Sequence, residues 1–199
     1  MIRKASTFEI FNHWLLAISF FILALTGFAY LFHLETVSSL FGSLYGMRNV
    51  HRWSGVVFSV SLFFTLFSYL PVSITITKND LEWLFKGGGY LGKHVPLEDP
   101  PQDKLNAAQK IFYLTLVLLG IAIIASGFVI WLVPGARKNI LLSHFFHNFG
   151  FDVLLAFVAW HIYFATLANP GTLRIMLDGK VPVEWARRRY TKWVQKMGY

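Results

Sequence analysis

Four stretches of this chain, residues 13–32, 51–70, 111–133 and 145–168, are each long and apolar enough to cross a bilayer. No other feature constrains the fold as strongly. In hydrocarbon every backbone amide needs a partner inside the chain, and continuous apolar runs of this length satisfy that need as α-helices. The expected fold is all-α, a membrane four-helix bundle forming a single domain over residues 1–199, with 169–199 as a tail. The sequence is 55% hydrophobic, and its apolar runs leave no room for a separate soluble module. Arg3 and Lys4 before the first run give a signal-peptide look. That run is longer than a signal core and lacks an A-x-A site, so it reads as a retained span.

Charge placement sets the orientation. Lys and Arg crowd the segment before residue 13, the connection between spans two and three, and the tail, which includes Arg187-Arg188-Arg189. The other two connections hold only Arg48, Arg52, Arg137 and Lys138. By the positive-inside rule both termini face the cytoplasm. The net charge of +8 is thereby explained by topology, and no soluble basic face with aromatic platforms points to nucleic acid. Cysteine is absent, which excludes disulfides, cysteine-ligated iron–sulfur clusters and covalent haem attachment. Any metal must be held by histidine or oxygen.

Small residues in span two (Ser54, Gly55, Ser59, Ser61, Ser68) and in span three (Gly120, Ser126, Gly127) suit close helix contacts in lipid. Residues 34–49 read as an interfacial connector. Gly87-Gly88-Gly89 and Pro100-Pro101 break regular structure, residues 80–84 read as a short surface helix capped by Asn79 or Asp80, and Asn169-Pro170-Gly171 ends span four.

The histidines carry the chemistry. His147 and His161 lie fourteen residues apart in span four. At about 100° per residue that is some 40° short of four turns, so both imidazoles share one face, roughly 21 Å apart along the axis. Depth supplies the partners: His51 opens span two at the outer side with His147, and His13 opens span one at the inner side with His161. A lone histidine at a helix end is ordinarily interfacial. Four that match in two depth pairs are what two bis-histidine haems require, and a compact zinc site would gather its ligands at one depth. His144, one turn before His147, is an alternative ligand, but its spacing to His161 leaves a ~100° offset. His33 reads as interfacial and His94 as solvated. Asn106 and Gln109, opening span three, are open between hydrogen-bonding a quinone carbonyl and capping the helix in water. Asp152 is an acid inside span four, read as pairing with Arg48, Arg52 or Arg137, with a proton path as the alternative.

Several motifs, in order, resemble the gamma subunit of respiratory formate dehydrogenases, a dihaem membrane cytochrome b. They are Phe11-Asn12-His13-Trp14, Lys104-Leu105-Asn106-Ala107-Ala108-Gln109-Lys110, Gly127-Phe128-Val129-Ile130-Trp131, the His147/His161 pair, and Met176-Leu177-Asp178-Gly179-Lys180-Val181 followed by Trp185-Ala186. The resemblance runs nearly end to end. It implies two b haems with iron ligands His51 and His147 (outer) and His13 and His161 (inner). It also implies a menaquinone or ubiquinone site at Asn106, Ala108, Gln109 and His161. Ala108 stands where the family pattern has glycine, and its methyl narrows the backbone approach. The implied partners are an iron–sulfur beta subunit, a molybdopterin or tungstopterin alpha subunit, lipid and the quinone pool, in a prokaryotic inner membrane. The implied role is electron transfer to quinone, without formate chemistry in this chain. The same four histidines would serve a hydrogenase cytochrome b or a quinol-oxidising thiosulfate-type reductase. A haem-free anchor or small transporter is the alternative from another class.

Overall fold

The computed structural model describes residues 1–89, 100–133 and 137–199. His94 lies outside them. Among the described residues, four helices have the length and composition of membrane spans. In chain order the elements are β1 (Ile2–Arg3), α1 (Thr7–Leu31), α2 (Glu35–Leu40), α3 (Leu44–Ser73), α4 (Lys78–Phe85), α5 (Ala107–Leu132), α6 (Arg137–Thr166), β2 (Lys180–Val181), α7 (Val183–Arg189) and α8 (Thr191–Lys196). The spans α1, α3, α5 and α6 are the four expected ones, but each begins before its apolar run. His13 and His51 accordingly sit one to two turns inside their helices, not at the ends.

The extra turns have local causes. In α1, Ser6 Oγ accepts the Glu9 N–H and the Glu9 carboxylate accepts the Ser6 N–H, at 3.1 and 2.7 Å. This reciprocal cap satisfies two orphan amides of the first turn and starts the helix before the apolar run. The surface helix expected at residues 80–84 is α4, and its cap is Thr77, not Asn79 or Asp80. Asp80 sits in the first turn and accepts the Thr77 N–H at 2.7 Å. Asn169-Pro170-Gly171 does follow the end of α6, with Gly171 at φ +94°. A Cβ there would also meet the Trp185 indole at 3.0 Å, so glycine is required on two counts.

The chain divides into two compact units. One comprises Phe11–Leu66 and Leu119–Asp152, and is called here the span unit. Its helices approach closely at glycine. A Cβ at Gly120 would meet Leu62 at 2.6 Å, and one at Gly150 would meet Ile123 at 3.0 Å. A polar knot joins α1 to α3: Asn12 Nδ2 donates to Ser61 O and Thr65 Oγ1, while Ser61 Oγ donates to Asn12 Oδ1 at 2.8 Å. All three side chains are buried. Phe20 packs near Phe58 of α3 and Phe151 of α6.

The other unit comprises Met1–Ile10, Phe67–Leu118 and Val153–Tyr199, and is called here the tail unit. Its tail is folded. β1 pairs antiparallel with β2, Ile2 opposite Val181, and Ile2, Ala5, Ile175, Val181, Ala186, Tyr190, Trp193 and Val194 form a buried apolar cluster. The Lys4 ammonium is buried in this cluster over the Tyr190 ring. Burial pushes it well below the ordinary lysine range, Lys104 repels it further, and Asp103 offsets part of the effect. Lys110 and Asp80 form an ion pair at 2.9 Å with both side chains 6% exposed, and Lys110 also donates to Thr75 O.

Candidate functional site

In the span unit, His51 of α3 and His147 of α6 face each other with ring centroids 6.3 Å apart. Each ring is held from behind through Nδ1. Thr26 Oγ1 lies 2.7 Å from His51 Nδ1 and donates its single proton to Ile22 O, also at 2.7 Å. With its proton on Ile22 O, Thr26 accepts from His51, the arrangement in which the imidazole proton sits on Nδ1. His147 Nδ1 lies 3.0 Å from Ile123 O, and a carbonyl only accepts, so this ring too carries its proton on Nδ1. Ser126 Oγ is a further neighbour at 3.3 Å. Both Nε2 atoms keep their lone pairs. This is the tautomer a metal-binding imidazole needs, fixed by partners of the kind that orient metal-bound histidines. Gly127 makes room: a Cβ there would lie 3.0 Å from His147 Cε1.

Thr26 was not singled out from the sequence. Its signal is a hydroxyl in the middle of an apolar span, fully buried. His144 is exposed on α6 and is not the residue facing His51. His13 belongs to the span unit, edge-on to Trp14 at 5.3 Å. Asp152 is exposed and forms no ion pair with Arg48 or Arg52, while the side chain of Arg137 lies outside the described residues. Arg52 instead lies over the Trp131 ring. The cause is helical phase: Asp152 is five residues beyond His147, some 140° round α6 from the face carrying the histidines. His33 takes φ +53° just past the end of α1, where the Leu34 N–H returns to Ala29 O, a left-handed helix cap.

The tail unit contains a cleft lined by Asn106, Ala108, Gln109, Phe112, His161 and Thr172, among others. His161 stacks on Phe112, with centroids 4.3 Å apart and planes 14° from parallel. Asn106 and Gln109 form a reciprocal cap on α5: Asn106 Oδ1 accepts the Gln109 N–H at 2.9 Å, and Gln109 Oε1 accepts the Asn106 N–H at 3.0 Å. Capping and cleft lining are thus properties of the same two residues. Backbone amides accept nothing, so the caps fix both side-chain amides oxygen-inward and leave their NH2 groups as donors; Gln109 Oε1 also lies 3.4 Å from the Tyr190 hydroxyl. A larger recess at Lys138, Leu141, Leu142 and Phe145 is an open apolar surface with no converging polar groups.

Four membrane-length helices and a pair of facing imidazoles, each held through Nδ1, are the features of a multi-pass membrane protein of cytochrome b type. The chain belongs to the prokaryotic cytochrome b561 family, whose sequence pattern matches residues 4–179. It is an integral protein of the inner membrane. Among curated relatives, it is 26% identical over 191 residues to the nitrate-inducible formate dehydrogenase cytochrome b556(Fdn) subunit of Escherichia coli K12, covering 93% of this chain and 86% of the relative. It is also 26% identical to the formate dehydrogenase cytochrome b556 subunit of Haemophilus influenzae (93% and 79% covered) and to the b556(fdo) subunit of E. coli K12 (95% and 90%). The resemblance seen in the sequence motifs is to these proteins.

Family membership implies b-type haem, and the His51/His147 pair fits it. Two imidazoles sharing one metal at about 2 Å from each nitrogen have ring centres roughly 6 Å apart. No group of three or more His, Asp or Glu converges among the described residues, as a closed protein-only metal site would need.

Proposed function

We propose that this chain is the membrane electron-transfer subunit of a respiratory formate dehydrogenase, delivering electrons from an iron–sulfur partner to quinone. The observation that carries the reading is the facing His51/His147 pair with both Nδ1 protons locked. His51 and His147 would hold one b haem, and His13 and His161 a second. Bound haem supplies a one-electron couple. The protein's part is to fix the ligand tautomers through Thr26 and Ile123 O, and to surround the group with apolar, low-dielectric side chains.

The cleft at Asn106, Ala108, Gln109 and His161 is the proposed quinone site. A quinone carbonyl is an acceptor, and the caps leave the Asn106 and Gln109 amides with donors. Reduction of quinone to quinol takes two electrons and two protons. With both termini cytoplasmic, as the Lys and Arg distribution favours, those protons come from the cytoplasmic side. Iron–sulfur and pterin-bearing catalytic subunits are the proposed partners.

The test is pyridine haemochrome quantitation on the purified complex and on His51→Ala and His161→Ala variants, with formate-dependent quinone reduction alongside. Two haems per chain, each variant losing a different one, is the expected result. A single haem overturns one of the pairs, and a colourless, well-assembled protein overturns the whole reading.

A further inference from the structure

Gln109 is clamped at both ends of its side-chain amide. Oε1 accepts from the Asn106 amide, Nε2 donates to the hydroxyl of Tyr190 at 3.1 Å, and that hydroxyl lies 3.4 Å from Oε1, to which it can donate in turn. Tyr190 comes from the end of the chain, between α7 and α8, and is fully buried. Its ring lies beneath the Lys4 ammonium and beside Trp185, and its backbone N–H is held by Ala186 O at 2.7 Å. The β1–β2 pairing and the apolar cluster fix the ring further. A hydroxyl on so constrained a ring has little freedom. It takes one of the two Nε2 hydrogens of Gln109 and so sets the direction of the other.

We infer that Tyr190 is a positioning residue for the quinone site. Through its hydroxyl, the folded tail aims the remaining Gln109 donor into the cleft. The inference rests on the reading of that cleft as the quinone site. Gln109 has χ freedom that the α5 cap alone restrains through a single oxygen, and a second contact on nitrogen removes the residual rotation. Such preorganisation acts on binding of the acceptor, so its loss appears in KM.

The experiment uses membranes containing the complete complex. Formate-dependent reduction of short-chain ubiquinone and menaquinone analogues is measured beside reduction of an artificial dye that accepts electrons upstream of this chain. Tyr190→Phe deletes only the hydroxyl and keeps the ring under Lys4. It should raise quinone KM roughly tenfold with kcat within about twofold, leaving haem content and dye activity unchanged. Combined with Gln109→Ala it should add nothing, because it acts through Gln109. If Gln109→Ala raises KM and Tyr190→Phe does not, or if their effects add, this inference falls and the quinone site stands. If neither Gln109→Ala nor Asn106→Ala moves KM, the quinone site itself falls. Incorporating 3,5-difluorotyrosine at position 190 tests the same point without altering shape. Quinone KM should then acquire a pH step where the fluorinated phenol ionises, below tyrosine's ordinary ~10. A profile identical to the parent's overturns the inference.

Discussion

The span unit and the tail unit fix their polar side chains by opposite means. In mid-span every backbone N–H is already bonded, so the groups left to hold a side chain are carbonyls with a spare lone pair and hydroxyls bonded back to carbonyls. These accept, and they force His51 and His147 to donate backwards and present bare nitrogen lone pairs. At the helix starts of the tail unit the orphan groups are amides, which donate. They take the oxygens of Asn106 and Gln109 and leave NH2 groups over. The first arrangement offers lone pairs and suits a metal; the second offers donors and suits a carbonyl. Location along a helix thus decides which chemistry a polar residue can present.

The largest test of this contrast is ligand deletion. His51→Ala or His147→Ala should abolish one whole haem equivalent by pyridine haemochrome, while His144→Ala retains it. Haem loss in His144→Ala would break the comparison at its strongest point. Next comes the buried ion pair that anchors α4 to α5. Asp80→Ala leaves Lys110 buried and unpaired, which costs about 3–5 kcal/mol, read as a lowered melting temperature and faster hydrogen exchange over α4.

The same pair has an acid signature. Burial alone raises the Asp80 carboxyl, but hydrogen bonds from Lys110 and Thr77 outweigh it and hold it below the usual carboxylate range. Its stabilisation is therefore complete above the unfolded value of ~3.9 and is lost as pH falls through the depressed one. Acid titration of the melting temperature should show this loss, and Lys110→Met should flatten it. A smaller effect is expected at Thr26→Val, which removes the acceptor behind His51. Loss of such a partner typically weakens metal-group retention about 10–100-fold, checked by haem release to apomyoglobin. Smallest is Ser6→Ala, which deletes one α1 cap at about 1 kcal/mol, measured by thermal unfolding.

The spans and the facing of His51 with His147 were legible because they rest on period and length, which a sequence displays directly. The phase of Asp152 was equally readable, since five residues from His147 is the wrong side of the helix for an inward partner. The three reciprocal caps, Ser6/Glu9, Thr77/Asp80 and Asn106/Gln109, have a visible spacing, yet from the sequence only Asn106 and Gln109 were weighed as a pair, between quinone and a solvated cap, and Asp80 only as a cap in its own right. The folded tail was not legible. Its elements are two to seven residues long, too short for periodicity, and its core draws on Ile2 and Ala5 at one end and Val194 at the other. Contacts of that sequence separation leave no local trace. Thr26 was missed for a related reason, because a single hydroxyl in an apolar run is ordinary until its neighbour is known.

The pairing of Ile2–Arg3 with Lys180–Val181 also bears on biogenesis. During translation the first strand leaves the ribosome long before its partner exists, and all four spans are threaded into the membrane in the interval. The amino-terminal segment must wait unpaired until residues 180–181 have emerged. A product truncated before residue 180 would therefore carry all four spans and yet lack the strand pairing that helps to hold Tyr190 against Gln109.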